Sequence, residues 1–239
     1  MAVTVTGDIV VQIDCHVHTR GSYDSAASLE AVLASAREAG LDGVVVTDHD
    51  CLSYALAAVE RAEALGLIGI PGAEISTADG HLLGIGIETR PPSGLSFDET
   101  VARIRKAGGL AVVPHPFQCS RHGVPAETIT DCDGIEVFNA HTLTGVRNRQ
   151  ATRFAVGYGY PRFAGSDAHR PGVVGAAYTE VGVDTRNPTA EAVLAAMRAG
   201  RVREGGDRIP PRQYFRKLAW NAKHSSRRLL RGVSRRKST

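Results

Sequence analysis

No run of about 18 apolar residues occurs in this sequence, so no membrane-spanning helix is expected. The first fourteen residues, Met1 to Asp14, lack a basic segment followed by an apolar stretch, so no cleaved signal is expected and a cytoplasmic location is the default. Cysteine is scarce: Cys15, Cys51, Cys119 and Cys132 show no CxxC spacing, which argues against a zinc ribbon or a compact disulfide scaffold and for reduced thiols. Internal repeats are absent, as is low complexity before the last thirty residues or so. Acid is absent from residues 212–239, which carry ten of the 28 Lys and Arg. The net charge of +3 therefore hides a split, with 18 basic against 25 acidic residues, net −7, in residues 1–211.

What is present is apolar enough for a sizeable core, at 43% hydrophobic residues over 239 positions. Apolar runs of strand length alternate with helical patterns, as in parallel strands covered by helices. Strands are expected near 9–16, 43–48, 69–75, 110–114, 134–139, 162–166 and 178–183. Helices are expected near 27–40, 52–66, 97–108, 145–157 and 188–199. Ser96-Phe97-Asp98-Glu99 reads as a capping box, Asn187 as a cap with Pro188 at the first helical position, and Gly40, Gly66 and Gly200 as stops. Leu82 to Ile87 follows its predecessor after the short turn Thr77-Ala78-Asp79-Gly80 and reads as a hairpin partner, which puts His81 at the same end of the sheet as Glu74. The expected fold is α/β, a seven-stranded (β/α) barrel over residues 1–205. A basic C-terminal helix and tail follows over 206–239, with the Gly- and Pro-rich 201–211 as the boundary.

Histidines and acids stand where the strands end. Apolar runs lead into His16-Val17-His18, Thr47-Asp48-His49 and Pro114-His115-Pro116, and others deliver Glu74, then Asp167 with His169. In a strand, His16 and His18 project from one face toward a shared point, while Cys15 points away. A single strand-end histidine is commonly structural. Six of them, with two acids, at one end of one barrel form a set that is costly to bury without cations. Imidazole and carboxylate without thiolate suit manganese, zinc or iron.

The segments His16-Val17-His18-Thr19, Thr47-Asp48-His49, Gly72-Ala73-Glu74-Ile75-Ser76, His81-Leu82-Leu83-Gly84, Pro114-His115-Pro116, Glu136-Val137-Phe138-Asn139 and Gly165-Ser166-Asp167-Ala168-His169 resemble, in this order, the PHP (polymerase and histidinol phosphatase) family. The resemblance spans about residues 12–184 and implies a distorted, TIM-like seven-stranded barrel holding two or three divalent ions. It implies one ion on His16, His18, Glu74 and Asp167, and a second that shares Glu74 and adds His81 and His115. A third, in trinuclear members, would use His49, His169 and the acid after the first motif. Many family sequences carry Ser-Asp-Gly there; this one has Ser22-Tyr23-Asp24-Ser25, one residue longer, and Asp24 is the candidate.

A hydroxide bridging two such ions attacks phosphorus at neutral pH, which makes phosphoester hydrolysis the expected reaction. Asp167 is expected to orient that hydroxide, His122 to protonate the leaving oxygen, Arg121 to bind phosphate, and Arg20 to assist at the rim. Asp48 is expected to support a ligating imidazole. His141, Arg147 and Arg149 are rim candidates whose alternative is plain solvation. The expected substrate is a phosphate mono- or diester of a small molecule, nucleotide or oligonucleotide. Two other readings stand beside this one: hydrolysis of a carboxyl ester, carbamate or amide by the same ions, and a non-catalytic, metal-stabilised module recruiting a partner through its tail. For the tail, a basic helix near 211–231, packing on the barrel competes with nucleic-acid and anionic-lipid contact.

Overall fold

In a computed structural model the chain is described at residues 7, 9–210 and 212. The expected basic helix, and with it nearly all of the tail, lies outside the described residues.

Among the described residues one sheet of nine strands organises the fold, in the order β7-β6-β5-β4-β3-β2-β1-β8-β9. Its strands are β1 (Ile9–Val17), β2 (Gly43–Val46), β3 (Ile68–Ser76), β4 (His81–Ile85), β5 (Leu110–Val113), β6 (Gly134–Asn139), β7 (Arg162–Gly165), β8 (Ala177–Val183) and β9 (Val202–Gly206). The runs Val44-Val45-Val46 and Leu110-Ala111-Val112-Val113 are wholly buried, as strands covered on both faces must be. β1–β3 and β5–β7 are parallel sets, joined through β4, which is antiparallel to both β3 and β5. The register Ser76↔His81 confirms the hairpin and brings His81 to the end of β3 that carries Glu74.

The sheet curls until β7 lies against β1. No full ladder closes it; single groups do. The His18 N–H donates to the Ala168 carbonyl at 2.8 Å, the Ser166 N–H to the buried Asp14 carboxylate at 2.9 Å, and the Ala164 N–H to Thr179 Oγ1 at 2.9 Å. Gly165 permits this approach, because a Cβ there would stand 2.4 Å from the His16 Cβ.

The seven-strand expectation needs correction to nine. β4 is the expected hairpin partner, and β9 lies in the Gly- and Pro-rich boundary segment. Val202-Arg203-Glu204-Gly205-Gly206 has too little apolar pattern to signal a strand. Pairing makes it one, antiparallel to β8 with Glu180 opposite Arg203 in a cross-strand ion pair. Gly205 serves Tyr178, whose ring would sit 2.5 Å from a Cβ at that position.

Helices α1 (Leu29–Glu38), α2 (Ser53–Ala62), α3 (Phe97–Lys106), α4 (Val146–Tyr158) and α5 (Ala190–Arg198) cover the strands. In α1, Leu29, Val32, Leu33 and Ala36 are buried at helical spacing beneath the Ser28 cap. Ser96 caps α3 by accepting from the Glu99 N–H at 3.3 Å, and Gly40, Gly66 and Gly200 all adopt left-handed conformations just past helical turns. Asn187 does not cap α5. Thr189 holds that place, its hydroxyl accepting from the Ala192 N–H at 3.3 Å, while the Asn187 N–H is tied back to Thr185. Val193, Ala196 and Met197 of α5 join Ile13, Val45, Ile70, Val112 and Phe163 in a core built mainly of strand residues.

Candidate metal centre

Seven strand ends deliver side chains to one place. Glu74, near the end of β3, is the hub, and its two oxygens face different partners. Oε2 lies 3.3 Å from His16 Nε2, 3.3 Å from His18 Nε2 and 3.3 Å from His49 Nδ1. Oε1 lies 2.7 Å from His81 Nδ1 and 3.1 Å from His115 Nε2. Asp167 Oδ1 stands 3.4 Å from His18 Nε2 and 3.8 Å from His16 Nε2. On the far flank Asp24 Oδ2 is 2.8 Å from His169 Nε2, and its Oδ1 is 3.6 Å from His49 Nε2. All nine residues singled out from the sequence, His16, His18, Asp24, His49, Glu74, His81, His115, Asp167 and His169, therefore meet in one cluster.

Neighbouring groups aim these donors. His16 Nδ1 is 3.0 Å from Glu136 Oε1, leaving Nε2 turned inward. Ser22 donates its hydroxyl proton to Asp48 at 2.7 Å and so accepts from His18 Nδ1–H at 2.9 Å, which turns the His18 Nε2 lone pair inward too. Asp48 thus supports an imidazole as expected, but it is His18, reached through Ser22, rather than adjacent His49. The two inward nitrogens lie 3.1 Å apart.

Charge in the cluster fits the same picture. Burial alone would raise the Glu74 carboxyl, but the imidazoles of His49, His81 and His16 hold it well below the usual carboxylate range. Asp24 is likewise held low against its burial, by His169 above all. Burial pushes His49 down to about 4; burial and then Arg121 push His115 down to about 3. His16 resists its burial and rises to about 9, because Glu136 and Glu74 flank it. Anionic carboxylates and inward-facing imidazoles form the donor set of a divalent-cation site. Asp24 Oδ1, His49 Nδ1 and His115 Nδ1 are buried without a hydrogen-bond partner, and four triads of donor atoms each fall within 4.8 Å. The residues present fit metal ions.

Strain concentrates here as well. His115 and Asp167 have φ of 31° and 53°, and Asp50, Phe117 and His122 are also left-handed. Such backbone costs roughly 1–3 kcal/mol per residue and persists where surroundings over-determine it.

The remaining expected site residues divide. Arg121 reaches in: its guanidinium pairs with Asp167 and donates to Asn139 Oδ1 at 3.2 Å. His122 is exposed, its ring stacked on His81 with centroids 5.1 Å apart. Arg20 is exposed and its charge bears on Glu30 at the start of α1. His141 is buried rather than at a solvated rim, with Nδ1 3.0 Å from the Ser166 carbonyl, whereas Arg147 and Arg149 are exposed.

Sequence reasoning assigned no role to Glu136, Asn139, Ser22 or Asp14. Glu136 ties His16 to the His115 backbone N–H, which donates to Oε2 at 2.7 Å, and the Asn139 amide donates to both Glu136 and Asp167, at 2.9 and 3.3 Å. The available signal was the polar pair Glu136 and Asn139 within an otherwise apolar strand. A cavity of about 360 Å³ adjoins the cluster, lined by Asp24, Ala27, Ser28, His169, Arg170 and Pro171 among others.

The family described as "PHP domain" matches residues 14–163, and the one described as "PHP-associated" matches residues 145–202. An uncharacterized protein of Methanocaldococcus jannaschii is 31% identical over 153 residues, 59% of this chain and 89% of that one. A phosphoribosyl 1,2-cyclic phosphate 1,2-diphosphodiesterase of Eggerthella lenta is 35% identical over 103 residues, covering 41% of this chain and 39% of the relative. A solved two-domain protein from Bacteroides vulgatus, described as containing a predicted PHP-like metal-dependent phosphoesterase, superposes with a TM-score of 0.70 at 21% identity. That superposition covers 84% of this chain and 67% of the other, and it speaks to the fold.

Proposed function

The chain belongs to the PHP family, and we propose that it is a metal-dependent phosphoesterase acting on a phosphate mono- or diester. One observation carries the reading: Glu74 directs its two carboxylate oxygens at two separate histidine sets, so that it could serve two neighbouring cations. His16, His18, Glu74 and Asp167 would hold one ion, Glu74, His81 and His115 a second, and His49, His169 and Asp24 a third. Bound divalent ions supply Lewis-acid polarisation of a phosphoryl oxygen and activation of water at neutral pH. The metals in question are manganese, zinc or iron, matched to imidazole and carboxylate donors.

The chain's own groups do the rest. Asp167, held by Asn139 and Arg121, accepts a hydrogen bond from the attacking water and orients it. Arg121 sits close enough to exchange its Asp167 contact for a phosphate oxygen, and Arg20 adds positive charge further out. His122, on an exposed loop against His81, donates a proton to the departing alkoxide. The diesterase named among the relatives supports a phosphate ester as the substrate class.

Glu74→Gln is expected to abolish turnover, by about 10³-fold or more, and to lower metal occupancy while circular dichroism reports an intact fold. Manganese-loaded protein tested against phosphate mono- and diesters, carboxyl esters and amides decides the reaction class. Cleavage confined to carboxyl esters or amides, or full activity in the Glu74→Gln variant, overturns the reading.

A further inference from the structure

Asp24, the acid that faces His169 and His49, follows directly on Tyr23. The phenol ring lies over the imidazole of His49, centroids 4.7 Å apart and planes within 19°. Most of the ring is nevertheless outside: Tyr23 is 56% exposed, while the next residue, Asp24, points into the cluster at His169 and His49. A large aromatic side chain gains about 1.5–3 kcal/mol by full burial, so one kept half in water at the rim is not explained by packing. Aromatics are few, at 5% of residues, and among the described residues the other strongly exposed one, Tyr158 on α4, sits with Phe154 and Tyr160 instead of at the centre.

We propose that Tyr23 is a specificity-determining residue that stacks on a planar ring of the substrate, so that esters carrying a nucleobase are preferred over aliphatic phosphates. The inference rests on the phosphoester reading of the same site and narrows its substrate class. His49 braces the phenol from beneath, and adjacent Asp24 keeps its contact with His169. Base–aromatic stacking is sequence-tolerant, so Tyr23 selects for a base without selecting which one. Arg121 and the ions would hold the phosphate, and Tyr23 the far end.

The test compares adenosine 5′-monophosphate with ribose 5-phosphate, which share sugar and phosphate and differ in the base. Calorimetric titration of the full-length, manganese-loaded protein is expected to show adenosine monophosphate binding at least about fivefold more tightly, and Tyr23→Ala to bring the ratio near one while Tyr23→Phe preserves it. Metal content measured in parallel should match wild type in both variants. Equal affinities in the wild type overturn the inference. So does a parallel loss for both ligands or a loss of metal in Tyr23→Ala, which would make the ring a mere cover for His49. Because the readout is binding, it stands apart from turnover: absence of phosphoester cleavage would sink the proposed reaction and leave the preference for a base to be judged on its own.

Discussion

At the scale of single residues, the centre depends on groups that touch no substrate. Glu136 is buried, and one of its oxygens faces His16 while the other receives the His115 N–H and the Asn139 amide. The imidazoles of His16 and then His115, together with the amide of Asn139, hold its carboxyl below the ordinary value despite burial. Glu136→Gln keeps the shape and removes the charge that orients His16, so metal affinity is expected to fall roughly 10–100-fold, as measured by chelator competition. Unaltered affinity would mean that His16 is oriented by packing alone. Most donors were legible because they end an apolar run, while His81 was placed by the hairpin and Asp24 through the family resemblance. Glu136, Ser22 and Asn139 were not assigned because their partners lie on other strands: nothing local to Ser22 says that its hydroxyl joins Asp48 to His18.

Among elements, the weak seam is between β1 and β7. Asp14 crosses it, accepting from the N–H groups of Ser166 and Gly175, each at 2.9 Å, and of His16 at 3.3 Å. Burial pushes its carboxyl up to about 6, and these donors oppose the shift. Asp14→Ala strands buried N–H groups at about 1–3 kcal/mol each, so a loss on the order of 3 kcal/mol or more is expected in urea unfolding. A loss below 1 kcal/mol would mean the seam closes without it. Helices and buried strands announce themselves through periodicity and caps, as Leu29 to Ala36 and Val44 to Val46 do. β9 does not, because its reason to extend is the free edge of β8 and the ring of Tyr178, both distant in its own pattern.

For the whole molecule, stability and loading are one problem. Nine buried or half-buried donors converge on one space, and removing cations leaves their like charges facing one another, with Arg121 paired to Asp167. Exhaustive chelation is therefore expected to lower the melting temperature by several degrees, with recovery on adding manganese, as ligand linkage requires. A melting curve indifferent to chelator and metal would deny a cation any hold on the fold. Among the described residues no helix is long and apolar enough to cross a membrane. The basic segment 212–239 carries ten cations against a body of net −7. Its removal is expected to weaken single-stranded DNA binding and flatten the salt dependence, measured by fluorescence anisotropy across salt. Unchanged affinity would remove that segment as a nucleic-acid contact.

By itself the sequence determined the donor types, their order and their places at strand ends, since an apolar run that stops at His or Glu records both a strand and what it presents. Only the tertiary structure decided which oxygen of Glu74 faces which histidine, how Glu136 and Ser22 turn His16 and His18, that nine strands and not seven make the sheet, and that Tyr23 rides on His49. Those are distances between residues tens of positions apart, and local pattern carries no information about them until the chain closes.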